Sequence, residues 1–306
     1  MNVLLIPLIL QVLTLPDPVF ITQMTSEVTI SHDSPALGGQ LLVVELEVQN
    51  SCAEPIAMWQ KREMPVLRAT RGYQILVPIA SGQKPGEHTL TIHCDELEVL
   101  FPLSVEASNS PVSKLKVNSR FTKKPPARTR REKKRIRKAL STDTLTRYWR
   151  DQFIKPTAGS LTSPFGVRRE FNGRLKSRHG GIDWDGAIGE SVLAANDGVV
   201  VLKADNFFYI GNAVIIDHGE RLFTLYFHMN SVDVVEGQRV KRGQVIGGVG
   251  KTGRVTGPHL HFGTKLSGVY FNPVDLLEYQ PPRGRTPRVS LQGAQEPGEE
   301  EIPANL

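Results

Sequence analysis

The sequence predicts a mostly β protein in two folded parts: a small β-sandwich-like domain over residues 19–107, and a glycine-rich antiparallel β domain over 151–279. Three observations predict it. Short runs rich in Val, Ile, Leu and Thr recur along both regions with turn residues between them. Helical periodicity is missing from both regions. The chain has 306 residues, 40% of them hydrophobic and 22% charged, which suits two domains of ordinary size with buried cores.

The apolar run from Val3 to about Leu15 comes first. It falls short of the roughly 20 residues that span a bilayer, and it fits the hydrophobic region of a secretory signal, expected over 1–18. Strand-like segments follow: Leu41–Val48, Tyr73–Ile79, His88–Cys94 and Leu97–Glu106, punctuated by Gly38-Gly39, Ser81-Gly82 and Pro85-Gly86. Spacing of this kind predicts a sandwich. Cys52 and Cys94 are the only cysteines. They exclude a disulfide scaffold and a four-cysteine zinc site, yet they allow one bridge in an oxidising compartment. His32, His88 and His93 have no acidic or histidine partner at useful spacing, so no catalytic constellation is expected in this part.

Residues 108–150 read as a basic linker, helical from about Arg128 to Trp149. Thirteen Lys or Arg stand between Lys114 and Lys138 against one acid, Glu132, so this stretch carries +12 in a chain whose net charge is +6. The basic character belongs to this segment and not to the folded bodies. It is either a solvated charged hinge or a docking strip for an anionic envelope polymer or membrane surface. Nucleic acid is disfavoured, because Phe121, Tyr148 and Trp149 are too sparse for a base-stacking platform. Residues 280–306, nearly free of apolar side chains, are expected to be disordered.

Five of the eight histidines fall between His179 and His261, in the segments RHGGIDWD, IIDHGE, LYFHM and PHLHF. In HGGID, two adjacent glycines argue against a helix, at about 1 kcal/mol each relative to Ala. An extended segment puts His179 and Asp183 on one face instead. In PHLHF a strand aims His259 and His261 to one side and Leu260 and Phe262 to the other, into a core. By the same alternation Tyr226 and His228 share a face in LYFHM, with Phe227 and Met229 opposite. Imidazole and carboxylate both suit zinc, and three protein ligands with one open position make a catalytic site. No H-E-x-x-H sequence supplies a glutamate base, so a non-ligand histidine must fill that role. Spacing alone leaves open which histidine of HLH is ligand and which is base. His218, at a strand end before Gly219, reads as a packing or turn residue, and Asp185 as a supporting acceptor or a solvated acid.

From about Thr162 to Leu277 the chain resembles the catalytic domain of the lysostaphin-type (LytM-like) zinc endopeptidases, which are peptidoglycan hydrolases. SPFGVRR, HGGIDW, VLAANDGVV, VIIDHG, TLYFHM, PHLHF and NPVDLL carry the resemblance. It implies a groove over a Zn2+ ion held by His179, Asp183 and His261. It further implies His259 as the base that activates water, and His228 as a stabiliser of the tetrahedral oxyanion or a partner in proton traffic. The implied substrates are peptide bonds in peptidoglycan cross-links or stem peptides, and the implied location is the periplasm or cell envelope. The β-rich region ahead resembles accessory domains that precede such catalytic domains. With the basic linker, it is expected to cover the groove and keep the enzyme latent. The alternative is a non-catalytic envelope module that binds wall or regulates a partner hydrolase. All five positions are intact, which disfavours it.

Overall fold

A computed structural model describes residues 20–282 apart from 25–27, 34, 49–51, 53, 96 and 174. The signal segment expected over 1–18, and the expected tail from residue 283 onward, lie outside the described residues. Strands dominate, and most of their pairings are antiparallel.

The first part is built from two five-stranded sheets. In spatial order one holds Phe20–Met24, Val28–Asp33, Leu41–Val48, Tyr73–Pro78 and Val66–Arg68; the other holds Ala36–Leu37, Leu97–Glu106, Gly86–Cys94, Ile56–Trp59 and Arg62–Met64. Alternation explains the packing. Along Leu97–Glu106 the side chains of Val99, Phe101, Leu103 and Val105 are buried while their neighbours face outward. They meet Val44, Leu46, Ile75 and Val77 of the other sheet. Cys52 and Cys94 are joined by a disulfide, and the Tyr73 hydroxyl donates to the Cys52 carbonyl at 2.9 Å.

The strand Leu41–Val48 serves two cores. Leu42, Val44 and Leu46 fill the sandwich, whereas Leu41, with Val43 packed beside it, joins the core of the second part. Leu67 and Leu76 also belong to that second core, alongside Trp149, Leu266, Phe271 and Tyr279. Hydrogen bonds reinforce the seam: Leu41 N–H to Asp275 Oδ2 at 2.7 Å, Asn272 N–H to the Gly39 carbonyl at 2.7 Å, and the Ser267 hydroxyl to the Glu63 carbonyl at 2.8 Å.

The second part is an eight-stranded sheet ordered Leu161–Ser163, Ile182–Trp184, Leu260–Leu266, Leu222–Met229, Gly211–Asp217, Gly198–Phe207 and Arg239–Val240, with Val269–Phe271 also paired to Leu260–Leu266. His218 is fully buried, with ring nitrogens 2.7 Å from the Asp197 carbonyl and 2.7 Å from the Thr224 hydroxyl, so its role is packing.

The connecting segment is no free hinge. Val112–Leu115 forms a strand that pairs in parallel with Arg168–Phe171, and Phe121 is buried against the Phe208 ring. Helix α1 spans Arg128–Ala139, ten residues short of the expected end at Trp149. Its stop is chemical: the Ser141 and Thr142 hydroxyls donate to the Lys138 and Ala139 carbonyls, offering the backbone an alternative to another helical turn. One face of α1 packs Ile136 and Ala139 on Leu202, Ala204 and Phe207. Glu132 turns inward to accept from the Phe208 N–H at 3.0 Å, and Arg135 donates to the Lys203 carbonyl. Arg130, Arg131, Lys133, Lys134, Arg137 and Lys138 are left exposed on the outer face. Among the described residues no helix is long and apolar enough to cross a membrane.

Candidate metal centre and its groove

Neighbouring strands bring the polar side chains together. Ile182–Trp184 and Leu260–Leu266 are antiparallel with Asp183 opposite His261, and Leu222–Met229 places Phe227 opposite His261 on the other side. Directly opposed residues project to the same face of a sheet. Asp183, His261 and Phe227 therefore lie on one face, where Phe227 stacks on the His261 ring at 5.3 Å and 11°. Leu260 and Phe262, one residue to either side, are fully buried in the opposite direction, as the alternation required.

His179 enters from the loop before that strand. Its Nε2 lies 2.9 Å from Asp183 Oδ1 and 2.9 Å from His261 Nδ1, and His261 Nδ1 lies 2.8 Å from Asp183 Oδ1. The two glycines between His179 and Asp183 differ in purpose. A Cβ on Gly181 would stand 2.3 Å from the Phe262 carbonyl oxygen and 2.8 Å from His261 Nε2, whereas one on Gly180 would meet nothing nearer than 4.0 Å. Gly181 is small because the His261 ring lies against it.

Main-chain carbonyls orient three of the imidazoles. His179 Nδ1 is 2.8 Å from the Pro164 carbonyl, His228 Nδ1 is 2.9 Å from that of Thr252, and His259 Nδ1 is 2.9 Å from that of Gly257. A carbonyl can only accept, so each Nδ1 carries the proton, and in the neutral ring Nε2 keeps its lone pair. His259 Nε2 is 3.9 Å from Asp183 Oδ1, and the His228 and His259 ring centroids are 4.9 Å apart.

His228 departs from the expected alternation. Tyr226 is fully buried in the core, its hydroxyl accepting from the Ala195 N–H at 2.8 Å, while Phe227 and His228 both line the groove. The expectation that Tyr226 and His228 share a face is thus overturned. The cause is local backbone: His228 adopts φ = 68°, and the pairing with Gly211–Asp217 slips register near it. A non-glycine residue in the left-handed region costs about 1–3 kcal/mol and persists only where its surroundings impose it. Here the His228 N–H is held by the Ile210 carbonyl at 2.9 Å while the ring is held by Thr252.

Electrostatics favour a cation at this point. For Asp183, burial acts to raise the pKa, but hydrogen bonds from His179 and His261 outweigh it and hold the carboxyl far below the ordinary range. Burial is the main reason the His261 pKa falls to about 4, and burial with the neighbouring His259 and His261 keeps His228 well below the usual histidine value. At neutral pH both rings are uncharged. His179, His261 and the ionised Asp183, with donor atoms within 4.8 Å of one another, form a donor set suited to a metal ion. Asp185 takes no part: it is exposed, and its Oδ1 accepts from the Ser160 N–H.

A groove crosses this cluster. Tyr209, Ile210 and Gly180 line one arm; Leu115, Val117 and Val255–Pro258 line the other; Arg169, Phe171, His228 and Arg254 line both. The linker strand thus forms part of the groove wall, and no residue of the sandwich lines either arm among the described residues. Two groove residues were not singled out from the sequence. Arg169 donates to Asp183 Oδ2 and to the Ser163 hydroxyl, and Arg254 stands over two aromatic rings. Arg169 ends the quoted segment SPFGVRR and Arg254 lies a few residues ahead of PHLHF, but nothing local distinguishes a groove arginine from a solvated one.

Comparison with known proteins converges on this region. The sequence model of Peptidase family M23 matches residues 177–273. The chain is 39% identical over 140 residues to the peptidoglycan DD-endopeptidase ShyC of Vibrio cholerae, covering 44% of this chain and 32% of that protein. It is 42% identical over 116 residues to the DD-carboxypeptidase/endopeptidase Mpg of Neisseria meningitidis, covering 38% of this chain and 26% of that one. The match thus spans about a third or less of these relatives' own lengths. A solved Pseudomonas aeruginosa chain assigned to peptidase M23 superposes with a TM-score of 0.64 at 27% identity, covering 80% of this chain and 95% of that one.

Proposed function

Because residues 177–273 make up a Peptidase family M23 domain, we propose that this chain is a zinc-dependent endopeptidase that hydrolyses peptide bonds in peptidoglycan. The names of two relatives, the peptidoglycan DD-endopeptidase ShyC and the DD-carboxypeptidase/endopeptidase Mpg, support this reading. One observation carries the reading. His179, Asp183 and His261 converge within 2.8–2.9 Å, and His259 and His228 turn Nε2 lone pairs toward the same groove.

His179 Nε2, His261 Nδ1 and the Asp183 carboxylate would hold the zinc ion, which supplies Lewis acidity and a lowered water pKa when bound. His259 takes the proton of the attacking water on Nε2 and later delivers it to the leaving amine. The Gly257 carbonyl keeps the other nitrogen protonated, so only Nε2 can act. Of the two roles implied for His228, proton traffic suits the neutral ring better. With Nδ1–H given to Thr252, its Nε2 has no proton to offer an oxyanion until it has accepted one. Arg169 holds Asp183 Oδ2 and so orients the carboxylate.

Export to an oxidising envelope compartment is part of the proposal, and the Cys52–Cys94 disulfide supports it. The outward cations of α1 would add an affinity for anionic envelope surfaces.

The test is digestion of purified peptidoglycan by the full chain, with and without a chelator, followed by mass analysis of the soluble fragments. Chelator-sensitive release of peptide-cleaved fragments is expected. His261→Ala should lose both zinc and activity, whereas His259→Ala should keep zinc and lose turnover. An active His259→Ala variant refutes the role given to His259. A folded, zinc-loaded protein that binds wall and releases nothing returns the chain to the non-catalytic alternative.

A further inference from the structure

Helix α1 sorts its residues by charge. Glu132, Ile136 and Ala139 face the sheet. Arg130, Arg131, Lys133, Lys134, Arg137 and Lys138 are exposed, and their side chains make no ion pair or hydrogen bond among the described residues. At about 100° and 1.5 Å per residue, these cations fall within an arc of about 160° over a length of about 12 Å. Neither an acid nor an apolar side chain interrupts them. Outside Lys114–Lys138 the chain carries −6, so an anionic surface attracts this face and repels the remainder.

The patch is also tied to the groove. Glu132 accepts from the Phe208 N–H at 3.0 Å, and the Phe121 ring packs 5.0 Å from that of Phe208. The next residues, Tyr209 and Ile210, line one arm of the groove. A contact made by α1 therefore fixes where the groove lies.

Shape decides the partner. Cations splayed over a convex helix cannot converge on one small ligand, and none of them lines either arm of the groove. A single polymer strand would follow one row of the patch and leave the others in water. A plane of anions covers every row, and lipid headgroups diffuse laterally to match the cations. Ile136 and Ala139 are turned inward, so contact stays at the headgroups without insertion. We propose that the outward face of α1 docks on an anionic phospholipid bilayer and holds the groove at a fixed height beside it. This inference rests on the envelope location proposed above and is independent of the peptidase chemistry.

The experiment is co-sedimentation of the full chain with vesicles of phosphatidylglycerol and phosphatidylcholine, against vesicles of phosphatidylcholine alone. Wild type should favour the anionic vesicles and release them at about 0.5 M salt. Each Lys or Arg near such a surface contributes about 5-fold in partitioning. Replacing Arg131, Lys134 and Lys138 together by Gln should then weaken it about 100-fold, with zinc content and thermal midpoint unchanged. Arg130→Gln with Lys133→Gln and Arg137→Gln is the second variant, should the first fail to fold. Vesicles should shield Lys133, Lys134 and Lys138 from acetylation and leave Lys61 and Lys251, exposed elsewhere, reactive. Equal binding to both kinds of vesicle, unchanged binding by a folded variant, or shielding spread evenly over these lysines overturns the proposal. Binding to soluble polyphosphate without binding to vesicles overturns it in favour of a polymer. Wild type that releases peptidoglycan fragments but binds no vesicle loses this inference and keeps the peptidase reading.

Discussion

Adding one methyl group at position 181 should separate fold from metal affinity. In Gly181→Ala the new Cβ would stand 2.3 Å from the Phe262 carbonyl oxygen and 2.8 Å from His261 Nε2. Relief of the first contact needs about 1 Å of separation between Ile182–Trp184 and Leu260–Leu266, enough to break one or two ladder hydrogen bonds at about 0.5–1.5 kcal/mol each. Overpacking adds about 1–3 kcal/mol. The variant should therefore lose about 2–4 kcal/mol in urea unfolding. The displaced His261 ring should weaken zinc binding about 10–100-fold, as when the support of a metal ligand is removed. Gly180→Ala is the control, since its nearest neighbour would be 4.0 Å away. Chelator competition reads the metal and denaturant titration reads the fold. If Gly181→Ala equals Gly180→Ala in both, the explanation of the double glycine is wrong.

Three further outcomes are expected. Burial raises the Asp275 pKa from 3.8 to about 6 despite the hydrogen bond from Leu41 N–H, so the native state holds a proton that the unfolded state has released. Stability is then lost as pH rises from about 4 to 6; Asp275→Asn keeps an acceptor for Leu41 and should remove that part of the pH dependence in unfolding curves. Replacing Cys52 and Cys94 by Ser opens a link between residues 42 apart and should cost about 4 kcal/mol on the loop-entropy estimate, read as a lower urea midpoint. Converting Lys133, Lys134, Arg137 and Lys138 to Glu should reduce retention on an anionic matrix and its salt dependence, while zinc content and thermal midpoint stay near wild type because these side chains are exposed and unpaired among the described residues.

Much of the architecture was legible because alternation is local information. Leu41–Val48 and Leu97–Glu106 are strands over the ranges their sequences suggest, and Leu260 and Phe262 point away from His259 and His261 as a strand demands. What escaped depends on partners distant in sequence. The reversal at His228 is imposed by Ile210 and Thr252. The strand at Val112–Leu115 exists because Arg168–Phe171 offers an edge to it; at four residues, VSKL is too short to carry a strand signal of its own. Arg254 looks like a surface cation until Phe171 and Tyr209 are brought beside it.

The strand that faces two cores has a consequence for unfolding. Leu41 and Val43 pack into one body and Leu42, Val44 and Leu46 into the other, so neither can shed that strand without exposing apolar surface on both. Among the described residues the junction between the halves is therefore an apolar packing surface as well as a set of hydrogen bonds. Heat should melt the two as one cooperative transition. The wall strand Val112–Leu115 stands apart from both cores: it pairs with Arg168–Phe171 and lends Ser113 and Leu115 to the groove.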